Sequence, residues 1–273
     1  MAAFCDTGLI VRCAEFSNKA YKASSINGVF LENKETDCQA FVVVDDDAIV
    51  ITGQGSTTMT DWYIDLSIWR RKVPYLNNTL VHAGFIIQYE SVRTKMHAEI
   101  EKIMKAKKIT KIICTGHSLF GAVSTIAALD CAILYDIPVS CVTFGSPRVG
   151  GPKFKALFDK LISTSFRCVR HRDPITYTPL PLRFKHVRGG VHFGTKISFD
   201  PPLYSFCGCK TSHHSMSRYL SFISNIHSEK TKNQIGVQNA TQKLSLRRYE
   251  NSPDVFYLCS STAQQIPAVG ELK

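Results

Sequence analysis

Apolar residues in this chain recur in two patterns that take turns along its length: short, nearly continuous runs, and longer stretches at helical spacing. The early segment LIVRCAEFSNKAY has helical spacing. AFVVV (40–44) and AIVITG (48–53) are β-rich runs separated by Asp45, Asp46 and Asp47, which predicts a hairpin. From Gly55 to Leu80 the pattern is irregular, mixing aromatic and basic residues with a proline. Residues 81–107 predict a long helix, with Phe85, Ile86, Tyr89, Val92, Met96, Ile100, Ile103 and Met104 on about one face. KIICTG (111–116), VSCVTFG (139–145) and SFRCVRH (165–171) predict strands, and LFGAVSTIAALDCAIL and FKALFDKLI predict the helices between them. This alternation predicts an α/β protein with a mainly parallel central sheet covered by helices. Past about Ser224 the pattern weakens, so residues 1–225 read as one domain and 226–273 as a polar, basic extension.

A length of 273 residues is enough for one large α/β domain with a substantial core. No stretch approaches the roughly 20 apolar residues needed to span a bilayer, and the start lacks a basic segment followed by an apolar run. A cytoplasmic location is therefore expected, with the ten cysteines as free thiols, several of them in apolar runs where a reduced cysteine behaves as a small hydrophobe. Cys207 and Cys209 form CGC without a second ligand pair, so no metal site is expected. The net charge of +11 favours approach to anionic surfaces. Its densest cluster, Lys102, Lys105, Lys107, Lys108 and Lys111, reads as a solvated helix end. No zinc-finger, RRM or helix-turn-helix pattern accompanies the charge, and nucleic acid is not an expected partner.

The sharpest chemical signal is CTGHSLFGAVS. A predicted strand enters Gly116, the chain turns at Ser118, and a helix leaves from Leu119. Such a turn lifts a serine hydroxyl above the sheet edge and sets it at a helix N-terminus, where negative charge is stabilised. A serine N-cap accounts for Ser118 alone, but not for the surrounding string.

The string resembles the GHSLGGA elbow of the class 3 lipases, a branch of the α/β-hydrolases. Further segments resemble that family in the same order, over roughly residues 35–225. DWYIDL is similar to its DWxxDL, VHAGFIIQYESV to VHxGFxxxYxxV, and TFGSPRVGG to TFGxPRVGN. HRDPITYTPLP resembles the block with the acidic residue, FKHV the strand after it, and HHSMSRYL the segment with the histidine.

The resemblance implies the α/β-hydrolase fold, with helices on both sheet faces, and hydrolysis of lipid esters, either acylglycerols or phospholipids. It implies Ser118 as nucleophile, His214 as its base and Asp173 as the carboxylate that orients the imidazole. Serine, aspartate, histidine is the chain order of that fold. His213, adjacent to His214, and His192 in GGVHFG remain the other histidine candidates. The oxyanion donors implied are the backbone N–H of Leu119 and that of Ser56, in GQGS where the family has FRGT or FRGS. Trp62 and Trp69 lie in a stretch that forms a lid in the family, and packing in the core is the other reading for them. No cofactor is implied, and a peripheral contact with an anionic membrane surface is expected.

Phe120 departs from the family, because G-x-S-x-G has glycine there and this chain has glycine at 121. Phe120 is thus a candidate substrate-pocket residue. Its ring requires an unusually small neighbour or a displaced turn. A displaced turn opens an alternative function: a lipase-like binding or scaffold protein with little or no activity.

Overall fold

The computed structural model describes residues 6–55, 69–170, 173–179, 181–188, 190–193, 211–239 and 257–258. Helix α1 (Thr7–Lys19) opens the chain, and its N-cap Asp6 accepts the Leu9 N–H at 2.9 Å. Ile10, Cys13, Ala14 and Ser17 form its buried stripe. Three antiparallel strands follow: β1 (Val29–Asn33), β2 (Cys38–Asp45) and β3 (Ala48–Gly53). The β2–β3 hairpin turns at the aspartates as the pattern predicts, whereas β1 lies outside the runs read from it.

Two short strands missed in the sequence, β4 (Arg70–Val73) and β5 (Thr79–His82), pair in a separate two-stranded sheet. Helix α2 (Ala83–Ala106) then leads to β6 (Lys111–His117), α3 (Leu119–Leu134), β7 (Val139–Phe144), α4 (Pro152–Leu161) and β8 (Thr164–Arg170). Strand β9 (Gly190–Phe193), helix α5 (Met216–Asn239) and the two-residue β10 (Tyr257–Leu258) complete the order. FKHV is not a strand: within it Lys185 makes an isolated bridge to Gly150, and the strand is β9. Helix α5 runs through 225, so the boundary placed there falls inside an element.

The large sheet has eight strands in the order β1-β2-β3-β6-β7-β8-β9-β10, parallel from β3 to β9. Strand β3 is buried at every position, as expected of a strand covered on both faces. On one face α2, α3 and α4 close a core around Ile49, Ile51, Ile112 and Cys114. On the other, α1 and α5 cover Phe41, Val50, Val142 and Phe144. Helix α3 is buried all round its first thirteen residues, Leu119 to Cys131, because it lies between the sheet and two other helices.

Six described cysteines, Cys13, Cys38, Cys114, Cys131, Cys141 and Cys168, are free and buried. Among the described residues no helix is long and apolar enough to cross a membrane.

Candidate active site

The carboxyl ends of β6, β7 and β8 meet at one edge of the sheet, the usual place for ligands in an open α/β sheet. Strand β6 ends at His117, and Ser118 then takes φ 60° and ψ −129° before α3 starts at Leu119. That left-handed backbone is costly for a residue with a side chain, about 1–3 kcal/mol. It is held by the Ser118 N–H, which donates to Phe144 O at 2.9 Å, and by the Gly121 N–H, which donates to Ser118 O at 3.0 Å. Leu119 opens the helix, so its own N–H has no acceptor within α3.

Asp173 follows β8 and is fully buried. Its carboxylate accepts the Ile175 N–H at 3.0 Å, the Tyr219 hydroxyl at 2.6 Å and His214 Nδ1 at 2.8 Å. His214 stands just before α5 and is 3% exposed. Its Nε2 is buried and has no hydrogen-bond partner among the described residues. Of the three candidate histidines, His214 is the one bonded to the carboxylate. Its neighbour His213 is half-buried, and His192 lies on β9.

The elbow and the Asp–His pair are next to each other. The ring of His117, the residue before Ser118, lies on that of His214 with centroids 4.4 Å apart. The Tyr21 hydroxyl holds His117 Nδ1 at 2.6 Å. Burial, then the neighbouring His214, pushes the His117 imidazole well below its ordinary value of 6.5 and keeps it neutral. On the other side, Gly145 has φ +57°, and a Cβ there would lie 2.6 Å from Asp173 Oδ2 and 2.9 Å from His214 Cε1. Only glycine leaves room for the pair at that turn.

Tyr219, Tyr21, His117 and Gly145 all fall outside the set read from the sequence. Tyr219 lies in the quoted HHSMSRYL, but its spacing there is also that of an ordinary core aromatic. Burial, then the Asp173 charge, raises its phenol well above the usual value, so the hydroxyl stays a donor.

Among the oxyanion candidates, Ser56 lies outside the described residues, as does Trp62. Gly55, which precedes Ser56, abuts the elbow: a Cβ on it would be 3.1 Å from Ser118 Cβ and 2.6 Å from the Tyr21 hydroxyl. Trp69 stands just before β4 and is 72% exposed. Phe120 is not a pocket-lining residue, because its ring is 2% exposed and sits in the core. The turn at Ser118 is kept, and small neighbours at Gly53 and Gly116 accommodate the ring.

The lysine cluster lies elsewhere. Lys111 begins β6 and Ser118 follows its end, so the strand's seven residues, about 23 Å of rise, separate the cluster from the serine. Lys111 pairs with Asp47 and Lys102 with Glu99.

Comparisons with known proteins agree with this architecture. The model of the family "Lipase (class 3)" matches residues 50–182. Secreted mono- and diacylglycerol lipase 1 of Fusarium solani is 30% identical over 149 residues, covering 53% of this chain and 44% of that protein. A lipase of Rhizomucor miehei is 31% identical over 152 residues, covering 53% and 41%. Over residues 50–182, just under half of its length, the chain matches the class 3 lipase family. As aligned, the chain spans less than half the length of those two relatives. Its fold is similar to that of the Rhizomucor miehei lipase in its propeptide complex, with a TM-score of 0.62, 24% identity and 68% of each chain covered. Lipase II from Rhizopus niveus also has a TM-score of 0.62, with 23% identity and 69% and 81% coverage.

Proposed function

We propose that this protein is a serine hydrolase of lipid esters, acylglycerols or phospholipids, working through an acyl-Ser118 intermediate. The observation that carries the reading is the buried His214, held by Asp173 through Nδ1 at 2.8 Å, with Nε2 beside the Ser118 elbow and without a partner among the described residues. A serine hydroxyl is a poor nucleophile near neutral pH, and an imidazole with one nitrogen fixed and the other available supplies the base it needs. His214 takes the Ser118 proton as the hydroxyl adds to the ester carbonyl, and returns it to the leaving alcohol. Water, deprotonated by the same imidazole, then releases the acid. The Leu119 N–H and the Ser56 N–H stabilise the oxyanion, and Asp173 stabilises the imidazolium in each half-reaction.

The surroundings favour a lipid surface as the place of action. Trp69 and Leu182 are 72% and 87% exposed, and the Arg70 guanidinium donates to Arg183 O at 3.3 Å, joining their two segments. The β4–β5 hairpin is itself tied to the loop after β7, through the His82 N–H to Val149 O at 2.9 Å. Large apolar side chains flanked by arginines suit the boundary of an anionic bilayer. The catalytically silent reading rested on Phe120, and the accommodated ring removes its motive.

Turnover of short soluble esters and of emulsified long-chain acylglycerols, by wild type and Ser118→Ala, tests the proposal. Hydrolysis lost in the variant supports it. Activity that survives in the variant, or wild type inert on every ester, overturns it.

A further inference from the structure

Phe120 does more than fit. Its ring fills the gap between two walls of the site: β3 on one side, β6 and its elbow on the other. A Cβ placed on Gly53 would lie 2.5 Å from Cδ2 of the ring and closer still to Cε2, while one on Gly116 would lie 2.8 Å from Cδ1. Opposite edges of one ring therefore press on two glycine backbones. Gly53 is two residues before Gly55, and Gly116 is two residues before Ser118. Above the ring the walls meet again, since a Cβ on Gly55 would sit 3.1 Å from Ser118 Cβ and 2.9 Å from His117 O.

The exchange of residues is reciprocal. The alignment that sets GQGS against FRGT puts Gly53 where the family has phenylalanine, and Phe120 stands where G-x-S-x-G has glycine. Along that alignment the aromatic residue has moved from the end of β3 to the first turn of α3, an exchange that can conserve volume.

We propose that Phe120 is a positioning residue whose ring sets the separation between the Gly55 turn and the Ser118–Leu119 elbow. The inference rests on the hydrolase reading above. Oxyanion donors act when they stand about 2.7–3.1 Å from the position where the charge develops. With the ring gone, the close-packed gap becomes a cavity into which either wall relaxes. A shift of about 1 Å costs on the order of a hundredfold in rate. The loss falls on the transition state, so kcat drops while KM is nearly unchanged.

Wild type, Phe120→Leu and Phe120→Ala are compared on a short-chain p-nitrophenyl ester, with the active sites counted by stoichiometric organophosphate titration. The expected result is a kcat per titrated site about 10- to 100-fold lower in Phe120→Ala, with an intermediate value in Phe120→Leu and KM within about twofold. Titration discounts misfolded molecules, and Phe120→Leu carries the test where the alanine variant does not fold. A purely structural ring predicts a lower melting temperature with wild-type kcat per titrated site, and that result overturns the proposal alone. Wild type that neither turns over the ester nor reacts with the organophosphate removes the hydrolase reading and this inference together.

Discussion

Asp130 and Asp173 are both fully buried, and each accepts hydrogen bonds from a histidine and from a tyrosine hydroxyl. Asp130, on α3, takes the Tyr89 hydroxyl at 2.6 Å and His97 Nε2 at 3.0 Å, much as Asp173 takes Tyr219 and His214. The two differ in what completes them. Arg93 grips Asp130 with Nε at 2.6 Å and Nη2 at 3.2 Å, and the other nitrogen of His97 is bonded to the Tyr135 hydroxyl at 2.8 Å. Burial pushes the Asp130 carboxyl up, and hydrogen bonds from His97, Arg93 and Tyr89 outweigh it, so its value falls below the ordinary one. That cluster is closed: it ties α2 to α3. At Asp173 no guanidinium is bonded to the carboxylate among the described contacts, and His214 keeps Nε2 unpartnered at the edge of the sheet. Asp, His and Tyr together do not make a catalytic site. The unused nitrogen and the nearby elbow are what mark the Asp173 cluster as the candidate.

The largest separation between the two clusters should come from the serine. Ser118→Ala should lower ester turnover about 10,000-fold or more while leaving the thermal midpoint near wild type. No matching change around Asp130 should reduce kcat at all. Replacing the two carboxylates sharpens this. Asp173→Asn should lower kcat about 10,000-fold by letting the imidazole take the wrong tautomer. Asp130→Asn should cost about 2–3 kcal/mol of stability, less than a fully buried pair because Arg93 keeps part of its guanidinium in water. Paired urea titrations and kcat per titrated site read both effects, and a catalytic defect in Asp130→Asn would break the comparison.

A smaller effect is expected at Tyr219. Phenylalanine there removes one donor to Asp173 and the acceptor of the Arg170 N–H, now bonded at 2.8 Å. The expected losses are about tenfold in kcat and 1–3 kcal/mol of stability, measured by steady-state kinetics and chemical unfolding.

The smallest is a pH slope. The folded His117 value lies below its unfolded value of 6.5, so below pH 6.5 the unfolded chain takes up the proton more readily. Its contribution is whole above that pH and is lost as pH falls, at up to about 1.4 kcal/mol per pH unit. Urea midpoints between pH 7 and 5 should therefore fall more steeply in wild type than in His117→Phe. Equal slopes would assign the acid sensitivity to other groups.

The sequence was most legible where burial on both faces writes continuous apolar runs, as in AIVITG and KIICTG, and where α2 shows one apolar stripe. The β4–β5 hairpin was not, because RRKV carries three charges and pairs outside the main sheet, where alternation is weak. The polar composition past 225 hid the second half of α5, because its sequence carries no continuous apolar stripe. Ser118 was readable from its local string, and Asp173 and His214 through the ordered resemblance of their segments. The partners of those groups were not. Tyr21 and Tyr219 match helical core spacing, and only the fold reveals that their hydroxyls hold His117 and Asp173. Likewise Gly53 is one more strand residue until Phe120 is seen against it.

Whether Ser118 is the nucleophile activated by His214 is read by mass spectrometry of the intact protein and its peptides after a fluorophosphonate reaction, in wild type and His214→Ala. One adduct is expected, on the Ser118 peptide of wild type, with labelling about a thousandfold slower or more in the variant. Folded wild type that stays unlabelled, or an adduct on a different serine, would contradict it.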